Sequence, residues 1–199
     1  MVALVALASA RAYAEAEEFV VQPGAKGNLV KFVSKAPAET FEGKTDQVRG
    51  RMVLDPAALA DSITVEVEVP LDSLDTGIDL RNQHMRENHL ETARYPRAVF
   101  RGVRLLNPPV RSLEPGVTST LELLGQFDLH GVSRSLLVSA QVTLVAGEGP
   151  RRIHVVAQFP VKLTDYQISR PKFLVLKLDE VQQVTLDVTA VAGTPSAGP

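Results

Sequence analysis

Residues 63–100 read ITVEVEVPLDSLDTGIDLRNQHMRENHLETARYPRAVF. In the first part Ile63, Val65, Val67, Val69 and Leu71 fall on one face, and Thr64, Glu66 and Glu68 on the other. A period of two places successive side chains on opposite sides of an extended chain, so this is a strand with one dry face. Between Asp72 and Arg97 the alternation stops, and Asp75 or Thr76 is placed to cap a helix running from Ile78 to His89. Tyr95-Pro96 ends that helix, and a second strand candidate spans Ala98 to Leu105. The stretch is therefore strand, charged helical insert near residues 76–92, strand.

Outward from it the same period recurs. Leu121, Leu123, Phe127 and Leu129 alternate with Thr120, Glu122, Gln126 and Asp128, and Ile153, Val155, Ala157, Phe159 and Val161 alternate with His154 and Gln158. Further strands are expected at Asn28 to Ser34, Glu39 to Lys44, Val48 to Leu54, Ser135 to Val145 and Val181 to Val191. Reversals fall at Asp55-Pro56, Asn107-Pro108-Pro109, Glu114-Pro115-Gly116, His130-Gly131 and residues 147–150, where Gly and Pro supply the backbone angles a turn needs. The reading is all-β and antiparallel, with about eight strands. A closed barrel removes unpaired edges, and a sandwich is the alternative that periodicity leaves open. An eight-stranded barrel has room for packed side chains or for one small ligand.

At 199 residues with 45% hydrophobic content, the chain suits one domain with a substantial core. Its formal charge of -2 and scattered basic residues argue against a nucleic-acid partner. The absence of cysteine excludes disulfides, thiolate metal sites and cysteine nucleophiles. The apolar run from Met1 to Ala10, followed by Ala12-Tyr13-Ala14, fits a signal peptide over residues 1–14, cut before Glu15. That implies a periplasmic or secreted protein with a mature domain over 15–191. No segment is long enough for a permanent transmembrane helix, and residues 192–199 read as a disordered tail.

On the inserted helix Arg81 and His84 lie three apart and share a face, with Leu80 and Met85 beside them. Such a face suits a lid over a barrel mouth, with Arg81 and His84 toward a polar head and Leu80 and Met85 toward a tail. It equally suits an anchor, in which Asp79, Arg81 and His84 bond backbone groups and fix the insert. His84 and His89, five apart, lie about 140° apart on an α-helix, which argues against a shared metal ion. His130 beside Gly131 reads as a structural hydrogen-bonding residue. Residues 164–172 interrupt the strands and suit either a solvated surface loop or a second rim loop that brings Arg170 and Lys172 close to the opening. No Gly-Xaa-Ser-Xaa-Gly elbow, phosphate loop or GxGxxG is present, so no catalytic residue is assigned and the chain is not expected to be an enzyme. With 5% aromatics and no Trp, the candidate lining is aliphatic: Ile63, Val65, Val67, Val69, Leu121, Leu123, Phe127, Leu129, Val155 and Phe159.

Two stretches carry a family resemblance. Ser73-Leu74-Asp75-Thr76-Gly77, then Asp79, Arg81, Asn82, His84 and Met85, then Tyr95-Pro96 and Phe100, form the first, and residues 127–134, FDLHGVSR, form the second. Together they resemble the YceI-like family of periplasmic proteins, over roughly Phe19 to Val191. Ser133 and Arg134 depart mildly from its pattern, and Gln167 stands where many relatives carry glycine. The resemblance implies a lipocalin-like barrel holding a polyisoprenoid lipid, of quinone or polyprenyl type, with no cofactor apart from that lipid. The alternatives are a ligand-free envelope stress or protein-interaction module and, behind it, a weak hydrolase or metal-dependent enzyme. The oligomeric state is open, a homodimer included.

Overall fold

The alternating segments form one sheet that closes on itself. The computed structural model describes residues 16–35, 40–60, 63–106, 108–170, 172–173 and 176–193. Its strands are β1 (Glu17–Val21), β2 (Leu29–Lys35), β3 (Thr40–Thr45), β4 (Arg49–Leu54), β5 (Thr64–Pro70), β6 (Arg97–Leu106), β7 (Thr118–Leu129), β8 (Val132–Leu144), β9 (Arg152–Lys162), β10 (Lys172–Phe173), β11 (Leu176–Lys177) and β12 (Val181–Ala192). Each expected strand is found within a few residues. The chain segment before Asn28 also supplies β1, which the sequence reading did not anticipate.

Closure comes from β12. Its edge carries β2 beside residues 183–187 and β1 beside Val191 and Ala192, so β1 and β2 act as two halves of one bent strand. β3 and β4 continue it in the same way, β3 on β2 and β4 on β1. Counting each bent pair once gives an eight-stranded antiparallel barrel in meander order, from the β1/β2 rod round to β12 and back. This decides against the sandwich. β3 has a special position: among the described residues the backbone bonds of its second edge go only to Asp75 of the insert, through Lys44 N–H to the Asp75 carbonyl and Asp75 N–H to the Lys44 carbonyl, each 2.9 Å.

The two ends differ. At one, residues 55–60 and 108–117 bond each other, Leu59 N–H to the Arg111 carbonyl at 2.8 Å and Leu113 N–H to the Pro56 carbonyl at 2.7 Å. They cap a core that includes Phe19, Val48, Leu105, Leu121, Ile153 and Ala190, all buried. The other end carries the insert, the His130-Gly131 turn and residues 163–170. There a second cluster gathers Leu71, Leu74, Phe127, Leu129, Tyr166 and Ile168.

Among the described residues Gly43, Gly50, Gly102 and Gly125 face the lumen, and all but Gly50 are closely covered by a larger side chain lying against the wall. A β-carbon on Gly43 would meet the Phe32 ring at 2.3 Å, one on Gly102 would meet Leu123 at 2.5 Å, and one on Gly125 would meet the Arg101 backbone carbonyl first and then the Phe100 ring at 2.6 Å. The missing side chains leave recesses that hold Phe32, Phe100 and Leu123 flat instead of across the interior.

The insert begins with a 3-10 turn (Leu71–Ser73), continues as α1 (Asp79–His84) and ends in a π-helical turn (Met85–His89). Neither Asp75 nor Thr76 caps α1, as had been expected; Ile78 precedes it with no side-chain cap. Asp75 and Thr76 instead hold Asn82, described below. At the C-terminus β12 runs through Ala192, and Gly193 N–H bonds the Glu18 carbonyl at 2.8 Å, so the barrel extends into the segment read as tail. The proposed leader, residues 1–14, and residues 194–199 lie outside the described residues.

Candidate functional site

Between the two core clusters lies a cavity of about 620 Å³, within the range of small-ligand sites. Its floor sits one residue pair above the capped end: Val188 and Val155 face the cavity, while their successors Ala190 and Ile153 are fully packed below it. The apolar faces of the strands turn inward, because water meets the outer face, where exposed ion pairs such as Arg97 to Glu68 (3.1 Å) and Arg101 to Glu66 (3.1 Å) lie.

Of the residues singled out from sequence, Val65, Val67, Val69, Leu123, Phe127, Leu129, Val155 and Phe159 line this cavity from the strands, and Leu80, Arg81, His84 and Met85 line it from the insert. Ile63 and Leu121 do not. They occupy the level below the floor, where Leu121 is buried and Ile63 packs against the capped core. Alternation fixes a residue's face but not its height in the barrel, which is why these two were included. The sequence reading missed Phe32, Ser34 and Phe41 of β2 and β3, Leu178, and Gln182, Val184, Leu186 and Val188 of β12. The signal was available in β12, where even-numbered positions alternate inward.

The insert is built to stay over the mouth. Leu71 N–H bonds the Pro96 carbonyl at 2.9 Å, pinching its base. Ser73 Oγ donates to the Pro70 carbonyl at 2.6 Å and meets Thr45 Oγ1 of β3 at 2.8 Å. Asn82, buried, accepts from Thr76 N–H (2.8 Å) and Thr76 Oγ1 (2.7 Å) and donates to Asp75 (2.7 Å). That amide bond, aided by Gly77 N–H, holds the Asp75 carboxyl below its usual range. Arg81 donates to Thr76 Oγ1 (3.0 Å) and to the Thr76 carbonyl (2.8 Å), and its guanidinium lies 4.1 Å from the centre of the Phe41 ring. Arg81 is therefore an anchor of the insert as well as part of the cavity wall. At the far end His130, buried, puts Nδ1 3.0 Å from the Tyr166 carbonyl and Nε2 3.2 Å from Glu91, with its ring centre 4.5 Å from that of Tyr95. It is the structural hydrogen-bonding residue expected.

The π turn overturns one geometric expectation. Its hydrogen bonds run from residue i+5 back to i, as Leu90 N–H to the Met85 carbonyl at 2.8 Å shows, so residues five apart come round to the same side. His84 and His89 consequently both line the cavity instead of diverging by the α-helical angle. His89 is half-buried, meets Ser169 Oγ at 3.3 Å, and has its pKa lowered mainly by burial, with His84 adding to the shift. Among the described residues no group of three or more His, Asp or Glu is placed to hold a metal ion.

On the second rim loop Arg170 donates twice to the Leu178 carbonyl, at 3.0 and 2.7 Å. Gln167, where the resemblance implies glycine, adopts φ 57° and ψ 24°, the left-handed region glycine favours. Gln167 N–H bonds the Thr164 carbonyl at 3.2 Å, which closes the turn.

Fold and cavity together define a lipocalin-like barrel: a closed antiparallel meander, capped at one end, with an apolar interior opening under a helical insert. The YceI-like domain profile matches residues 20–192, and the chain belongs to that family. Solved structures agree on the fold. A polyisoprenoid binding domain from Saccharophagus degradans, implicated in plant cell wall breakdown, is 20% identical with a TM-score of 0.68, covering 90% of this chain and 100% of that one. BcnA of Burkholderia cenocepacia is 16% identical with a TM-score of 0.63, over 81% and 95% of the two chains. The Campylobacter jejuni YceI protein is 16% identical with a TM-score of 0.60, over 74% and 82%. No curated protein matches the chain.

Proposed function

We propose that this protein is a non-enzymatic carrier that encloses an isoprenoid chain, of quinone or polyprenyl type, in the barrel interior. The observation that carries the reading is the cavity itself: about 620 Å³, walled by aliphatic and aromatic side chains, with Ile153 and Ala190 packed beneath it and the insert contributing to its wall. Each buried CH₂ contributes about 0.8 kcal/mol, so one five-carbon unit supplies on the order of 3–4 kcal/mol against the costs of association. Affinity then grows with chain length until the floor is reached, while the head stays near Arg81, His84 and His89. The Saccharophagus degradans relative, described as polyisoprenoid binding, supports the ligand class. A carrier of this kind works in the periplasm or outside the cell, consistent with the leader-like segment before Glu15.

The test is native mass spectrometry of protein exported through its own leader, followed by organic extraction. A stoichiometric prenyl mass released on denaturation is the expected result. Apo protein that also refuses added polyprenyl lipids would overturn the reading and favour a ligand-free interaction module.

A further inference from the structure

Ser34 occupies the last lumen-facing position of β2, opposite Phe41 on β3 and beside Gln182 on β12. The residue is 1% exposed, and among the described residues its Oγ makes no hydrogen bond. A buried hydroxyl without a partner is costly, and native structures that keep one generally do so for a reason. Its surroundings sharpen the point. The cavity wall is apolar apart from Lys31, Ser34, Arg81, His84, His89 and Gln182. Lys31 pairs with Glu42 at 3.6 Å, and Arg81, His84 and His89 belong to the insert. On the barrel wall near the mouth, Ser34 and Gln182 thus form a small neutral polar spot; the Gln182 amide donates to the Asp179 carbonyl at 2.7 Å and is 6% exposed.

We propose that Ser34 is the hydrogen-bonding subsite for an uncharged oxygen of the bound isoprenoid, a prenyl hydroxyl or a quinone carbonyl, just inside the mouth. The proposal rests on the carrier reading given above. Rotation about the Cα–Cβ bond turns the hydroxyl from the wall toward the lumen, where it donates to a carbonyl or both donates to and accepts from an alcohol. The oxygen is uncharged because the wall here offers a hydroxyl and an amide, and the neighbouring cation, Arg81 at 4.1 Å from the Phe41 ring, already donates to Thr76 Oγ1 and to the Thr76 carbonyl. The arrangement also sets the ligand's direction: the oxygen-bearing end stops at the level of Ser34, and the hydrocarbon runs down toward Val188 and Val155.

The experiment uses the full mature chain and two probes of equal chain length, geranylgeraniol and the oxygen-free hydrocarbon phytane, with affinities taken by displacement of a fluorescent lipid. In Ser34→Ala, geranylgeraniol binding weakens about fivefold to tenfold, the scale of one hydrogen bond, while phytane stays within about twofold. The apo variant melts at the same temperature as the parent or a few degrees higher, since it loses an unpaired buried group; a merely structural hydroxyl would lower it. Equal losses for both probes, or none for the alcohol, would overturn the subsite. Binding of neither probe to the parent protein defeats the carrier reading itself, and the subsite with it.

Discussion

Gly43→Ala adds one carbon to the barrel wall, and the structure indicates where the strain goes. The new Cβ would stand 2.3 Å from Phe32 Cε1 and 2.5 Å from Cζ, with side-chain atoms alone in the way. The ring has to leave its recess, and the free direction is the lumen. Overpacking of this kind costs about 1–3 kcal/mol, and replacing a strand glycine returns roughly 0.5–1 kcal/mol of backbone entropy. The net loss is about 0–2.5 kcal/mol, or a fall in Tm of up to roughly 10 °C for a chain of this size. In a Phe32→Ala background the obstacle is gone, so the same alanine should be neutral or stabilising, giving a coupling of about 1–3 kcal/mol between the two positions. Urea unfolding followed by far-UV circular dichroism measures all four proteins, since the chain has no tryptophan to report by fluorescence. The single variant should also hold less lipid, because the displaced ring stands beside Ser34. Equal destabilisation by Gly43→Ala in both backgrounds would refute the idea that the glycine stows the ring.

Two further outcomes follow from the insert. His130→Ala leaves the buried Tyr166 carbonyl unpaired and frees Glu91, which should cost about 2 kcal/mol or more and raise amide exchange in residues 91–95 and 163–168 ahead of the barrel strands; uniform exchange across the chain would contradict the pinning role. His89, its pKa lowered by burial from an ordinary value of 6.5, is held neutral in the fold, whereas the unfolded chain takes up a proton first as pH drops. Its contribution is complete above pH 6.5 and is lost as pH falls below that value toward the lowered folded pKa. An NMR titration should place His89 below the ordinary histidine value, and His89→Gln should flatten that part of the stability profile; titration at or above 6.5 would refute the assignment.

Much of the barrel was legible because alternation is a local signal: the Ile63 to Leu71 and Ile153 to Val161 patterns declare their strands and their dry faces without help. β1 was not legible, since the EEFVV of Glu17–Val21 is too short to alternate and follows the leader-like run. Closure was not legible either. It depends on β12 being long enough to take both β1 and β2 on one edge, a pairing between residues about 160 apart in sequence, such as Leu29 and Asp187. The site divides in the same way. Arg81, His84, Met85 and Leu80 share a helical face that spacing reveals, but His89 joins them only because Met85–His89 winds as a π turn, and nothing in that sequence separates it from an α-helix. Ser34 drew no attention because a serine near the end of a strand reads as a turn residue. Its interest lies in having no partner once Phe41 and Gln182 surround it.

The pairing of β3 distributes mechanical strength unevenly round the wall. Separating β7 from β8 means breaking a ladder that runs from Thr118–Thr143 to Leu129–Val132, and β9 and β12 are joined as extensively. Beside β3 the circumference is completed by the two Lys44–Asp75 bonds, the Thr45–Ser73 contact and the stacking of Arg81 on Phe41. A pulling force or a thermal fluctuation therefore finds its weakest seam along this line, and the seam can part while every long ladder stays intact. The barrel behaves less like a uniform can than like one with a scored edge, and the score runs past Phe41, directly across the strand pair from Ser34.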